Sequence, residues 1–311
     1  MATAAVHVQV EAWCLRVLGP GTLTSLRSDA GGQMSNLFRF DSEERGPCAV
    51  KVRPESAPRI SRCLQLQSAA ADAGFPCARP IAGVGMLVSG LVVSAETWRP
   101  GGEMNSDPDL PFAGRSAALL ADLAAILERE SPTGLGVPPP WMHWNPPTGD
   151  VWPPNSVVDA MDQDRVPEHL TAMARAVSKR LAASSLPLVV GHGDWESQNL
   201  RWDDTRPWAV HDWDSLVALP AAAIVGAASG AFSSTTIPTL ASLEASEEFI
   251  NTYEQARGPE FSAEEREVAW AASLWPALHN ARGETLFQTP PTALQALTEQ
   301  GPHRLQRAGV R

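Results

Sequence analysis

The sequence predicts an α+β fold in which strands and helices are segregated into two lobes, residues 1–97 and 98–311. Three features point to it. Apolar residues alternate with a period of two mainly in the first part, whereas long stretches with the 3.6-residue period of an amphipathic helix lie in the second. A breaker, Arg99-Pro-Gly-Gly102, separates the two and reads as a hinge. Charge divides at the same place. Residues 1–100 hold ten Arg/Lys and eight Asp/Glu, a balance of +2, while residues 101–311 hold fourteen and twenty-seven, a balance of −13. At 311 residues and 44% hydrophobic content, the chain can bury the cores of two lobes.

In chain order, Met1 to Val10 carries no Lys or Arg, and Glu11 interrupts the apolar stretch that follows, so the start reads as the beginning of a strand and not as a signal peptide. Leu37-Phe-Arg-Phe40 and Ala49-Val-Lys-Val52 alternate as paired strands about a charged turn, Asp41–Gly46. Ile60, Cys63, Leu64, Gln67 and Ala71 share one face of a helix that stops at Gly74. Met86–Ala95 reads as one further strand. Beyond the hinge, Arg115–Arg129 is a helix with Leu119, Leu120, Leu123 and Leu127 on its apolar side. Residues 132–154 are too rich in Pro, Gly and Trp for regular structure. Helices are expected at 167–184, 244–257 and 262–286, the last opened by a Ser262/Glu265 capping box. The uncharged run Ser215–Leu243 is interrupted by Pro220, Gly226, Gly230 and Pro238, and reads as buried helix and connector, not as a membrane span.

Composition excludes some classes of function. The acidic second part argues against nucleic acid and anionic membranes as partners and suits a cationic ligand; a solvated surface kept for solubility is the other reading. The four cysteines, Cys14, Cys48, Cys63 and Cys77, form no CxxC pair and no metal-ligand spacing with His. They read as small buried hydrophobes of a reducing, cytoplasmic protein.

Chemistry concentrates in Val190-Gly-His-Gly-Asp-Trp-Glu-Ser-Gln-Asn-Leu-Arg-Trp202 and Ala209-Val-His-Asp-Trp-Asp-Ser215. Asp194 is followed by Asn199 five residues on and Asp212 thirteen further. These types suit phosphoryl transfer: one carboxylate to orient a hydroxyl and take its proton, an amide oxygen and a second carboxylate as hard ligands for Mg²⁺. Short strands at Leu186–Val190 and Pro207–His211 present the two acids at their ends.

The stretch resembles the HGDxxxxN catalytic loop and downstream D-W-D motif of the aminoglycoside phosphotransferase family, small-molecule relatives of the protein kinases. The resemblance spans about residues 20–290 and implies a two-lobed, protein-kinase-like fold, with an antiparallel-sheet lobe carrying one helix and a larger, mainly helical lobe. It implies that Asp194 is the catalytic base, that Asn199 and Asp212 bind Mg²⁺, that His192 braces the loop, and that the cofactor is ATP or GTP. Asp29-Ala-Gly-Gly-Gln-Met-Ser-Asn36 is similar to the family's nucleotide loop, in which Ser35 would contact a phosphate. Glu96, Thr97 and Trp98 fall in a segment similar to its adenine-binding hinge.

The chain has 22 arginines and two lysines, Lys51 and Lys179. A lysine retained against that bias, in the strand Cys48-Ala-Val-Lys-Val52, suits a compact ammonium reaching the phosphates. The family's glutamate on the following helix, which pairs with this lysine, is missing. Gln67 lies on the inward stripe and is expected to hydrogen-bond Lys51 instead. Trp195, Glu196, Asp214 and Glu284 are candidate acceptor contacts. The tryptophans at 141, 144, 152 and 195 read either as pocket walls or as core anchors. No D-F-G or A-P-E pair brackets an activation loop, which disfavours protein substrates. The expected activity is phosphorylation of a small cationic natural product, such as an aminoglycoside or a basic peptide antibiotic. A metabolic kinase for a sugar, nucleoside or amino alcohol is the alternative, and a catalytically silent binding module is the reading from another class.

Overall fold

The computed structural model describes residues 4–25 and 36–310. The chain forms two compact units, one of Met1–Gly102 with Trp208–Asp214, the other of Glu103–Pro207 with Ser215–Arg311. This differs from the division at 97/98 in two respects: the first unit runs on to Gly102, and the segment that carries Asp212 groups with it.

The first unit comprises helix α1 (Ala4–Leu18), strands β1 (Gly21–Ser25), β2 (Asn36–Ser42) and β3 (Gly46–Arg53), helix α2 (Ala57–Asp72), and strands β4 (Pro80–Met86) and β5 (Val92–Thr97). The strands make one antiparallel sheet in the order β1-β2-β3-β5-β4. The expected pair around Asp41–Gly46 is β2 and β3, with Phe40 opposite Cys48 and Leu37 opposite Lys51. The start is a helix and not a strand. Val6, Val8 and Val10 alternate over a short window, but Val6, Val10, Trp13, Cys14 and Leu18 follow the helical period and bury against Phe38, Phe40 and Val50. Glu11 lies on the exposed face. Nor is Met86–Ala95 one strand. Gly90, at φ +79°, reverses the chain between β4 and β5, with Leu87 N–H on Leu91 O at 2.9 Å. Helix α2 starts at a Ser56 cap and ends before Gly74 at φ +85°, the expected stop.

The second unit is mainly helical. It contains α3 (Leu110–Leu127), a 3-10 turn at Pro140–Met142, α4 (Ser156–Asp159), a 3-10 turn at Gln163–Arg165, α5 (Glu168–Ala182), β6 (Leu188–His192), a 3-10 turn at Ser197–Asn199 and β7 (Leu200–Asp203). Strand β8 (Arg206–Val210) and a 3-10 turn at Trp213–Ser215 follow in the chain, with residues 208–214 belonging to the first unit. After them come β9 (Leu216–Pro220), α6 (Ala221–Ala231), α7 (Leu243–Arg257), α8 (Ala263–Ala272), α9 (Trp275–Phe287) and α10 (Thr292–Arg307). Strands β6 and β9 pair antiparallel, His192 opposite Leu216.

The uncharged run becomes β9 and the buried helix α6. Gly226 and Gly230 do not break that helix. A Cβ on them would stand 2.1 Å from Ala269 O and 2.3 Å from Ser273 O, so the glycines let α8 pack backbone against backbone. The helix expected over 262–286 is two, because Pro276 has no N–H to donate and opens α9. Its capping box is present. Helix α10, with Gly301 and Pro302 inside it, has no counterpart in the sequence reading. Helix α3 is long and apolar enough to cross a membrane by length and composition, but half of it is buried and it packs against α7. The four cysteines are free and buried.

Arg304 ties α10 to the core. It is fully buried, donates to Ser273 Oγ at 2.8 Å, Ser246 Oγ at 2.9 Å and the Ala241 carbonyl, and lies over the Trp270 ring. Burial, and then Arg307, pull its pKa down to about 9. Arg304→Met removes a buried donor from all three acceptors, although the Ser273 and Ser246 hydroxyls keep their own bonds to Trp270 O and Ser229 O. Urea denaturation is expected to show a loss of about 3 kcal/mol, and a loss below about 1 kcal/mol would mean that α10 is held by apolar packing alone.

Candidate active site

In the first unit the chemistry is organised by β3. Its register with β5 sets Ala49 opposite Glu96 and Lys51 opposite Ser94, so Lys51 and Glu96 are diagonal neighbours. Lys51 Nζ lies 3.1 Å from Glu96 Oε1, with both side chains largely buried. Gln67, on the inward face of α2, donates from Nε2 to Glu96 Oε2 at 2.9 Å and to Ala78 O at 2.9 Å. The partner of Lys51 is therefore not Gln67 but Glu96, which Gln67 buttresses. A buried ammonium needs a carboxylate, and β5 supplies the one that α2 lacks. Burial alone pulls the Lys51 ammonium down, but Glu96, Asp214 and Asp212 outweigh it, and its pKa ends above the usual lysine value. Burial likewise pushes Glu96 up, and Lys51 and Gln67 outweigh it, so its pKa ends below the usual carboxylate value.

The hinge residues are tied into the sheet. Thr97 N–H donates to Arg79 O at 2.8 Å and Trp98 N–H to Pro47 O at 3.0 Å, while Arg39 lies over the Trp98 ring. Ser35 and the glycine turn Asp29–Ser35 lie outside the described residues.

The Trp208–Asp214 segment docks on this sheet. Val210 N–H bonds Pro76 O at 2.7 Å, and the Trp213 indole donates to Val210 O at 3.0 Å. Asp212 takes a left-handed conformation, φ +60°. Asp214, expected among the acceptor contacts, is instead engaged internally: its Oδ2 lies 3.4 Å from Arg53 Nε. Burial raises the Asp214 pKa, but Arg53 and Lys51 outweigh it and hold it below the usual carboxylate range.

In the second unit, β6 ends in the loop that carries Asp194 and Asn199. Gly193 fits only as glycine, because a Cβ would stand 2.7 Å from Val217 Cγ1 and 3.0 Å from Ser215 O. His192 is buried and its Nδ1 accepts the Asp194 N–H at 3.2 Å, the bracing role the resemblance implies. Asn199 donates from Nδ2 to Asp194 Oδ2 at 2.7 Å and to Asp194 O at 2.9 Å. That uses the N–H side of the amide and presents its oxygen as an acceptor, which fits a hard divalent cation. Trp141 was one of several ambiguous tryptophans in the sequence. It donates to Gly193 O at 3.0 Å, and Trp275 reaches Pro140 O at 3.2 Å, so the proline-rich segment braces the loop from outside.

Asp194 and Glu196 line a narrow crevice of about 10 Å³, room for one water molecule, whose other walls include Trp141, Met142, Ile224 and Ala228. Burial and the neighbouring Asp194 carboxylate push Glu196 well above the usual glutamate value, against a hydrogen bond from Gln198. Trp195 also lines the crevice, but it is a core anchor: it is 2% exposed and its indole N–H is spent on Ser116. Glu284 is not on this wall. Its two oxygens accept from Ala293 N at 2.8 Å and Leu294 N at 3.0 Å and cap the start of α10, because unpaired N–H groups at a helix start attract a carboxylate.

A family model described as the phosphotransferase enzyme family matches residues 25–266. The chain belongs to that family. Among solved structures, this phosphotransferase is similar to the apo form of a thermostable mutant of aminoglycoside phosphotransferase APH(4)-Ia, at 16% identity and TM-score 0.57, over 96% of this chain and 99% of that one. It is also similar to the GDP complex of wild-type aminoglycoside 2'-phosphotransferase-IIIa, at 11% identity and TM-score 0.58, over 98% and 99%. The ternary complex of an APH(4)-Ia mutant with AMP-PNP and hygromycin B matches at 15% identity and TM-score 0.53, over 97% of each chain. At these identities the likeness establishes the fold. No curated protein matches the chain.

Sequence reading missed the pairing of Glu96 with Lys51, and it missed Arg53 and Arg59. For Arg53 a signal existed. It stands two residues from Lys51 on one strand, so period two places both cations on the same face. Glu96→Ala should leave a buried ammonium unpaired and lower stability by about 3–5 kcal/mol, measured by denaturation. Gln67→Glu should also destabilise, since it sets a second carboxylate on Glu96. A carboxyl raised by that repulsion loses stability as pH rises through its folded pKa. The penalty should therefore shrink as pH falls toward the carboxylate range. An unchanged midpoint for both variants would mean that the pair does not form in solution.

Proposed function

We propose that this enzyme transfers the γ-phosphoryl group of ATP or GTP to a hydroxyl of a small cationic natural product, with an aminoglycoside or a basic peptide antibiotic as the leading class. The observation that supports it most is the catalytic loop: Asp194 is braced by His192, hydrogen-bonded by Asn199 and set beside Glu196 in a crevice. Asp194 orients the acceptor hydroxyl and takes its proton as the phosphoryl group transfers. Asn199 holds the Asp194 carboxylate in place. Lys51, held by Glu96, binds the nucleotide phosphates, and Ser35 and the hinge around Thr97 and Trp98 contribute to the nucleotide site. Mg²⁺ held by Asn199 and Asp212 would neutralise the phosphate charge. Among the described residues no three His, Cys, Asp or Glu side chains cluster to hold a metal by themselves; with only two protein ligands, such an ion would draw the rest of its oxygens from phosphate and water. In this reading the first unit binds nucleotide, and the second binds the acceptor.

The acidic balance of residues 101–311 and the Asp194–Glu196 pair support a cationic acceptor.

Asp194→Asn should lower kcat by about two to four orders of magnitude with nucleotide affinity unchanged, and near-normal turnover would sink the assignment. If Glu196 meets a cationic group, kcat/KM should rise with pH as its raised carboxyl ionises, and the rise should disappear in Glu196→Gln. It should also fall with ionic strength. A salt-independent kcat/KM, or a neutral best acceptor, would favour a sugar or nucleoside kinase.

A further inference from the structure

Arg53 lies two residues beyond Lys51 on β3 and is 3% exposed. Its Nη2 donates to Ser94 Oγ at 3.0 Å, and its Nε stands 3.4 Å from Asp214 Oδ2. From α2, Arg59 Nη2 donates to the Asp214 main-chain oxygen at 2.8 Å. Two arginines therefore hold Asp214, one at its carboxylate and one at its carbonyl. As a stabilising ion pair this is poorly made. Arg53 Nε, Arg53 Nη1 and Asp214 Oδ1 are buried without a hydrogen-bond partner, so Arg53 meets the Asp214 carboxylate by charge alone, and buried pairs with unsatisfied atoms repay little of their desolvation.

The purpose lies two residues upstream. Asp212 has φ +60°, a conformation that costs a residue with a Cβ on the order of 1 kcal/mol or more and persists only where the surroundings enforce it. The enforcement is visible on both sides. Val210 is bonded to Pro76, and Trp213, 2% exposed, donates to Val210 and meets Phe75 edge-on at 6.0 Å. Beyond Trp213, Asp214 is gripped by Arg53 and Arg59. The one residue of this segment with positive φ is the proposed metal-binding carboxylate.

We infer that Arg53 is a positioning residue for the metal site: by holding Asp214 it keeps Asp212 in the left-handed conformation that suits its carboxylate to Mg²⁺. This rests on the reading of Asp212 as a metal ligand. An arginine suits the task because its fork bonds Ser94 while its Nε faces Asp214, whereas a lysine at that depth offers one centre.

The test is calorimetric titration of AMP-PNP at stepped Mg²⁺ concentrations, for wild type, Arg53→Met, Asp214→Asn, their double variant, Arg53→Lys and Asp212→Asn. Arg53→Met and Asp214→Asn should each raise the Mg²⁺ concentration for half-maximal tight binding about tenfold or more, with metal-free AMP-PNP affinity unchanged. The double variant should be no worse than either single one, and Arg53→Lys should recover part of the loss. An equal loss of metal-free affinity would overturn the proposal, because Arg53 would then touch phosphate itself. A lower melting temperature with normal Mg²⁺ dependence would also overturn it, leaving only a structural role. If Asp212→Asn shows normal Mg²⁺ dependence, the metal reading and this proposal fall together. If Asp212→Asn is impaired while Arg53→Met and Asp214→Asn are normal, positioning alone fails. Should Arg53→Met not fold, Asp214→Asn and Arg59→Met decide by the same criteria.

Discussion

A buried cation must be paired, and that requirement organises the first unit. Lys51 sits inside a five-stranded sheet, where an unpartnered ammonium would cost several kcal/mol. Glu96 answers it from the neighbouring strand. Both members of the pair are then held by the β3–β5 ladder, and α2 contributes only Gln67 as a neutral brace. A lysine paired with a helix carboxylate depends on where that helix sits. Here its position depends on strand register, which slips only by moving every side chain to the wrong face. The same strand carries Arg53, so a single ladder sets both the buried ammonium of Lys51 and the guanidinium that faces Asp214.

The second unit solves a different problem, holding a loop of polar residues at the end of a short strand. Its devices are side-chain hydrogen bonds. His192 accepts the Asp194 N–H, Asn199 donates to the Asp194 carboxylate, Trp195 is anchored on Ser116, and Trp141 caps the Gly193 carbonyl. Each tryptophan combines large apolar area with one N–H, so it can sit in a core and still satisfy a main-chain oxygen. The segment too rich in proline for regular structure thereby acquires a role as outer brace. Close helix packing completes the frame, since α6 meets α8 at two glycines whose backbone is the contact surface.

Much of this was legible in the sequence where signals are local. The β2–β3 pair, α2 with its glycine stop, the Ser262 capping box and the spacing of Asp194, Asn199 and Asp212 are all short-range patterns in which residue type and backbone geometry coincide. The errors share a cause. A window of three alternating valines resembles a strand until Trp13 and Leu18 extend the period. Gly226 and Gly230 resemble breakers until α8 lies against them.

By itself the sequence determined the segregation of strands from helices, the family, and the three residues at catalytic spacing, because each depends on neighbours within a few turns or on spacing along the chain. Only the tertiary structure decided who partners whom. Glu96 could equally have been a hinge residue, Asp214 and Glu284 could have faced an acceptor, and Gln67 could have met Lys51. Their places were set by desolvation. A buried charge or an unpaired helix N–H takes the nearest partner in space, and at separations of 45 residues, as for Lys51 and Glu96, nothing along the chain records which residue that will be.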